Sequence, residues 1–333
     1  MQAWHGAADG SKPAATLTRL AVAAVDEADR TFVVSAGFDL APLRASIQAL
    51  GLLNPPLVRQ RPDARCQIIA GWQRFLVVKE LSYPELPVFL VPAATPPQWC
   101  LLASLHDNAL GRGFNPLEAA HMIQRLLAFF PVETVRREHL PSLGLPPSES
   151  VLQNYLALLS LEEPWQHLAA RHRLTAAAGA RLSGWPAPDR QALLPWFQTL
   201  PLSHSKQLEF VEYLTTLSRR HGTSPAAWLQ KPELTAILAD PALTPAAKDR
   251  QLWETLRRWC FPRLSQARQA EQENLKALGL WQHPHIRLQS SPAYEDPTWR
   301  LELRFTDPEQ LARQVRQLQD LLDRPELAAL CQL

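Results

Sequence analysis

Thirty prolines against twelve glycines in a chain of 333 residues restrict the fold more than any other feature of this sequence. Proline in a helix interior removes a hydrogen bond and clashes with the preceding turn, yet the first turn tolerates it well. The sequence therefore predicts many short, sharply ended helices rather than a few long ones. Asn115-Pro116-Leu117-Glu118 supplies a cap, a first-turn proline and a carboxylate able to close a capping box. Asp307-Pro308-Glu309 opens the last helix in the same way. The length suits two or three domains of roughly 100–200 residues each. Hydrophobic residues, at 46%, are sufficient for a packed core, and a net charge of +2 points to neither nucleic acid nor membrane.

Periodicity divides the chain into five parts and predicts an α+β protein. Residues 1–30 read as a flexible tail rich in Ala, Gly and Ser, passing into a weakly apolar strand or linker. Residues 31–103 read as a small α+β domain. Thr31–Ser35 is a candidate strand. In Asp39–Leu50, Leu40, Leu43, Ile47 and Leu50 recur at helical spacing, with Asp39 as cap and Gly51 as stop. Pro56–Arg59 and Cys66–Ile69 flank the turn-like Arg61–Arg65, a hairpin pattern. A helix over Trp72–Leu81 and a strand over Leu86–Val91 follow. Residues 104–225 are helical. Glu133–Leu143 and Ser148–Leu161 are joined tightly across Gly144–Pro147, as in a helix-turn-helix unit. Residues 226–274 read as a helical linker. Residues 275–333 read as a small αββα domain with strands at Ile286–Gln289 and Trp299–Phe305, the second placing Trp299, Leu301, Leu303 and Phe305 on one face.

Several classes of function find no support. Cys66, Cys100, Cys260 and Cys331 are scattered, without metal-ligand spacing. His283 and His285 form the closest histidine pair, but no acidic or thiol partner is near them in sequence. No GxSxG, HExxH or Walker loop is present. No apolar run reaches the ~18 residues of a membrane span, and the N-terminus lacks signal-peptide order, so the expected location is the cytoplasm.

Four stretches, in order, resemble the ParB partition family. Leu43–Arg59 is similar to that family's amphipathic helix, glycine stop and outgoing strand. Ile68–Arg74, IIAGWQR, falls where the family carries a strand followed by a GERR-type box. Asp107–Glu118 resembles its EN box, followed by Asn-Pro and a helix. Leu143–Leu161 resembles its helix-turn-helix, with a turn one residue longer. The αββα order resembles its dimerisation domain.

The resemblance implies a ParB/sulfiredoxin-type N-terminal domain that binds CTP with Mg2+. Gly71 would let the backbone approach phosphates, and Arg74 would hold their charge. Asp107 and Asn108 would serve Mg2+ and phosphate, Asp107 being also the candidate catalytic group, and Arg112 stands in for an arginine displaced from position 111. Trp72, Gln73 and Leu76 replace the family's Glu and two of its arginines. Two lost charge-assisted contacts at about 1.5–3 kcal/mol each would weaken nucleotide binding about a hundredfold or more. Sulfiredoxins place a reactive cysteine where Trp72 stands, so redox chemistry is not expected.

The resemblance also implies duplex DNA as partner, a homodimer, association with the nucleoid, and a ParA-type ATPase touched by the N-terminal segment with Lys12 and Arg19. Candidate readers are Ser148, Glu149, Ser150, Gln153 and Asn154, since recognition helices present polar side chains near their N-termini. Candidate phosphate contacts are Arg136, Arg137, Arg171 and Arg173, with Arg219-Arg220 a further basic cluster and Arg257, Arg258 and Arg263 beyond it. Residues 104–225 nevertheless hold eleven Lys and Arg against ten Asp and Glu, no more than neutral for a DNA reader. Two alternatives stand beside a CTP-gated partition clamp: a ParB-derived transcriptional regulator without nucleotide switching, and a CTP hydrolase or phosphotransferase on the same fold.

Overall fold

The computed structural model describes residues 13–291, 296 and 298–332. It divides into two compact units, Met1–Glu212 and Tyr213–Leu333, and the division falls within a helix rather than near residue 225.

The first unit opens with β1 (Thr16–Ala21), α1 (Ala41–Leu50), β2 (Leu57–Gln60), β3 (Cys66–Ala70), α2 (Trp72–Glu80) and β4 (Glu85–Val91). The strands form one sheet in the order β1-β4-β2-β3; β4 runs parallel to β2, and the other neighbouring pairs are antiparallel. The expected hairpin is therefore real. The expected tail passes into a strand, as the strand-or-linker reading allowed: Thr16–Ala21 pairs along its whole length with β4. As an edge strand it buries little, with Leu17 60% exposed, so its apolar alternation is faint in the sequence. Residues 1–12, with Lys12, lie outside the described residues.

Thr31–Ser35 differs from expectation in the opposite sense. Phe32, Val33 and Val34 are buried, but the segment pairs with no strand among the described residues. Phe32 and Val34 enter a core shared with the helices that follow, while Val33 enters the core beneath the sheet with Phe75, Val58 and Val88. A β-branched run buried on both sides carries a strand-like sequence signature. Its backbone is satisfied elsewhere: the Phe32 carbonyl accepts from Ser104 Oγ at 2.8 Å.

Helices then continue with α3 (Pro97–Gly111), α4 (Pro116–Leu127), α5 (Val132–Thr134), one π turn (Val135–His139), α6 (Leu140–Ser142), α7 (Glu149–Leu158), α8 (Glu163–Ala170), α9 (Ala176–Ser183), α10 (Ala187–Thr199) and α11 (His204–His221), which carries the chain into the second unit. Proline occupies the first or second position of α1, α3, α4, α8 and α10, as its fixed φ and missing N–H favour. Leu101, Met122, Ile123, Leu140 and Leu152 bind α3, α4, α6 and α7 into one core. Gly179 of α9 lies so close to α7 that a Cβ there would strike Leu158.

The second unit comprises α12 (Pro225–Leu229), α13 (Pro232–Ala239), α14 (Pro245–Cys260), α15 (Pro262–Ala277), β5 (Ile286–Gln289), β6 (Arg300–Leu303), α16 (Pro308–Gln319) and α17 (Pro325–Leu330). The expected αββα order is present, with its first helix starting at Pro262 and α17 added at the end. The antiparallel β5–β6 pair packs Ile286, Trp299 and Leu303 with Leu275, Leu278 and Leu330. Leu301 and Phe305 share the predicted face but stand 46% and 52% exposed.

Candidate functional site

At the junction of β3 and α2, Gly71 adopts φ +89°, and Pro56 stands 3.0 Å from where a Cβ would lie. Both conditions select glycine. Gly71 is the N-cap of α2, and no side chain caps that end. The first intrahelical bond runs from Phe75 N to the Gly71 carbonyl at 3.1 Å, so the amides of Trp72, Gln73 and Arg74 form an open, electropositive helix end. They border a cleft of about 920 Å3. Its other wall is the last turn of α3, with His106, Asp107, Asn108, Leu110 and Arg112. Arg74 spans the two walls: Nη2 lies 3.2 Å from Asp107 Oδ2, and Nη1 donates to the Asn54 carbonyl at 3.0 Å. The cleft thus sets a helix N-terminus against a helix C-terminal turn that carries a carboxylate. That polarity suits an anion on one side and a cation on the other.

The substituted positions differ in what they do. Trp72 is a core residue: its ring lies 5.5 Å from that of Phe75, and the Arg30 guanidinium covers it at 3.9 Å. Gln73 lines the cleft, and its Nε2 is buried without a hydrogen-bond partner among the described residues. Asn108 donates Nδ2 back to the Ser104 carbonyl at 2.9 Å. Arg112, expected as a substitute phosphate cation, is engaged elsewhere. Its guanidinium makes two bonds to Glu118, at 2.8 and 2.7 Å, and others to Gly113 O and Ser35 Oγ. Glu118 is fully buried and also accepts from the amides of Ala36 and Asn115 at 2.9 and 3.1 Å. The capping box visible in the sequence is therefore the centre of a network that locks the α3–α4 junction, and the charge of Arg112 serves that lock.

The polar side chains proposed to read DNA lie on the outer face of α7. Ser150 and Gln153 are exposed, and Ser148 and Asn154 are half-buried. Ser148 Oγ and Ser150 Oγ share a hydrogen bond at 2.8 Å, and Gln153 Nε2 donates to Glu149 at 2.8 Å. The candidate phosphate contacts fare less well. Arg136 is held bidentately by Glu133 at 2.7 and 3.0 Å and reaches the Pro147 carbonyl at 3.2 Å, lacing the turn before α7. Arg137 also pairs with Glu133. Arg173 donates to the carbonyls of Gln198 and Leu200, both at 3.0 Å, and so fastens the end of α10 instead of facing a partner. Arg171 is exposed.

Among the described residues, no group of three or more His, Cys, Asp and Glu could hold a metal ion. His283 Nδ1 accepts from the amides of His285 and Ile286, which gives that histidine a turn-forming role. Cys66, Cys100 and Cys260 are buried free thiols, and burial pushes Cys100 and Cys260 up to about 11. No helix among the described residues is long and apolar enough to cross a membrane.

Residues 9–104 match the family model of the ParB N-terminal domain. The chain is 28% identical over 156 residues to a probable chromosome-partitioning protein ParB of Neisseria meningitidis, an alignment covering 46% of this chain and 52% of the relative. It is 29% identical over 151 residues to the probable chromosome 1-partitioning protein ParB of Deinococcus radiodurans, covering 45% and 50%. The chain thus spans about half the length of the curated relatives it matches. Among solved structures, a C-terminally truncated ParB from Caulobacter crescentus complexed to the centromeric parS site aligns at 20% identity and TM-score 0.34, over 59% of this chain and 98% of that one. The same protein complexed with CTP-γ-S aligns at 24% identity and TM-score 0.26, over 55% and 99%.

Proposed function

Starting from a chain that is ParB-like through its N-terminal third, we propose that it is a sequence-specific DNA-binding partition protein, acting as a homodimer at the nucleoid, with a nucleotide cleft next to its DNA reader. The observation that carries the reading is the single cleft that joins the Gly71-opened end of α2 to Arg74 and Asp107.

CTP with Mg2+ is the ligand this cleft suits. The open amides of α2 and the partnerless Gln73 Nε2 are donors for phosphate oxygens, and the Asp107 carboxylate is a hard ligand for the metal. Arg74, now paired with Asp107, would be the side-chain cation for the phosphates of a bound nucleotide, and Asp107 would hold the metal. The α7 face with Ser148, Ser150, Gln153 and Asn154 enters the major groove, Gln and Asn being able to pair bidentately with adenine. Leu301, Phe305, Val315 and Leu322 of the second unit are exposed, and they form the apolar material of a two-fold contact between copies. A ParA-type ATPase remains the expected second protein. Of the two cations assigned to it, Arg19 lies on β1.

A second reading has its own support. Trp72 is turned into the core and Arg112 is bound by Glu118, so the cleft keeps Arg74 as its main phosphate-facing cation. A DNA-binding regulator that needs no nucleotide would be built in this way. Retention of radiolabelled CTP, with Mg2+ and with or without DNA, separates the two. Retention that falls at least about tenfold in Asp107→Ala supports the clamp, each tenfold being about 1.4 kcal/mol. No retention under either condition removes the clamp and leaves the regulator. Phosphate release above that of Asp107→Ala would add hydrolysis.

A further inference from the structure

The helices that open the second unit form a basic surface unlike anything in the reader. From Tyr213 to Ala277 there are ten Lys and Arg against six Asp and Glu, whereas residues 104–212 hold nine against ten. The ends of α11, α14 and α15 meet. Arg220 Nη1 donates to the Cys260 carbonyl at 2.8 Å, and the Tyr213 ring stands edge-on to Phe261 at 5.8 Å. The Trp228 ring of α12 packs 5.3 Å from Trp259. These contacts gather Arg219, Arg257, Arg258 and Arg263 at shared helix ends. All four are exposed, and none pairs with a carboxylate among the described residues. Cations at helix C-termini offset the dipole there, and Arg220 does so by direct bonding to the end of α14. The other four extend outward.

The chemistry of the patch decides its partner. Phe261, at 45% exposure, is the one large hydrophobic residue that the described stretch 213–277 leaves exposed, too little for a lipid surface. Lys231 adds an ammonium 3.6 Å from the Trp228 ring. Guanidinium groups without carboxylate partners suit phosphate oxygens. Phosphate contacts dominate DNA affinity, and of the four candidate arginines in the first unit Arg136 and Arg137 are paired with Glu133 and Arg173 is bonded to backbone carbonyls, which leaves Arg171 exposed.

We propose that Arg219, Arg257, Arg258 and Arg263 form a sequence-independent surface for the phosphodiester backbone of duplex DNA, which supplies the contacts the reader lacks. This rests on the DNA-binding reading above. It separates the two tasks of a DNA-binding protein along the chain, base selection in the first unit and backbone affinity in the second.

The test is a salt titration of full-length protein on a mixed-sequence DNA duplex. The slope of log K against log salt reports the number of phosphates neutralised, at about 0.9 per contact. The variant R257Q/R258Q/R263Q should lower the magnitude of that slope by about 2–3 and reduce low-salt affinity about tenfold or more, and R219Q alone should lower it by about one. All four side chains are exposed, so the thermal transition should match that of the native chain. A native chain that ignores mixed-sequence duplex, or a triple variant with the native slope, overturns the proposal, as does a triple variant that loses only binding to anionic vesicles. Selection from a random duplex pool tests the reader separately. A pool in which no sequence is enriched sinks base reading and leaves the slope result to stand or fall alone.

Discussion

The helices of the first unit and the helices that open the second use the same residue, arginine, differently. In the first unit, Arg112, Arg136, Arg137 and Arg190 are bound to Glu118, Glu133 and Glu162, Arg173 is bonded to carbonyls, and Arg171 is exposed. Arg112, Arg173 and Arg190 fasten one helix to another, whereas Arg136 and Arg137 pair within their own helical turn. In the second unit, Arg219, Arg257, Arg258 and Arg263 stand exposed at helix ends, and none is ion-paired with a carboxylate among the described residues. The difference teaches that counting basic residues along a chain says little about affinity for a polyanion. What matters is whether a charge is already neutralised within the fold, because a paired arginine must lose its partner before it can serve phosphate.

The sharpest way to break this contrast is to remove the acid from a committed pair. Glu118→Ala strips four hydrogen bonds from the α3–α4 junction and leaves Arg112 without its partner. Urea unfolding should show a loss of about 3–5 kcal/mol, since the amides of Ala36 and Asn115 lose their buried acceptor while the exposed Arg112 can turn to water. A loss under about 1 kcal/mol would mean that the Arg112–Glu118 network holds little of this junction. Next in size is Gly179→Val, which forces α9 away from Leu158 on α7. Overpacking of this kind costs about 1–3 kcal/mol, and the midpoint of denaturation should fall accordingly.

Glu133→Gln asks the converse question. It releases Arg136 and Arg137 next to the turn that precedes α7. Affinity for mixed-sequence duplex should rise about threefold at low salt, with a salt slope steeper by about one to two. An unchanged slope would place that face of the helices away from DNA.

The smallest effect concerns pH. Burial holds His139 and His121 below the ordinary imidazole value, the nearby His106 and Arg125 respectively acting in the same direction. The unfolded chain therefore binds those protons first, so stability is complete above about pH 6.5 and declines as pH falls below it. His139 packs edge-on against Phe130 at 4.8 Å, and its Nε2 is buried without a partner among the described residues. His139→Phe should lose less stability than the native chain between about pH 7.5 and pH 5.5. Equal losses in both would show that His139 binds its proton equally well in the folded and unfolded chains.

Much of this molecule was legible in its sequence. Proline at helix starts, Gly51 and Gly71 as stop and opening, the hairpin around Arg61–Arg65 and the alternation of Trp299–Phe305 are local signals, and each marks an element that forms. The order of short motifs also indicated that Gly71 and Asp107 belong together. What the sequence could not reveal were relations between segments distant in the chain. Thr16–Ala21 is a strand because β4 has an edge to offer it, and Phe32–Val34 is not one because helices and sheet compete for its two faces. The fate of each arginine was equally hidden. Whether Arg112 or Arg173 faces a ligand depends on Glu118 or on the carbonyls of α10, and Coulomb attraction and hydrogen bonding act over a few ångströms of space with no regard for sequence separation. Local conformational preference was set by the residues themselves, whereas the charges left to meet a partner depended on how distant segments pack together.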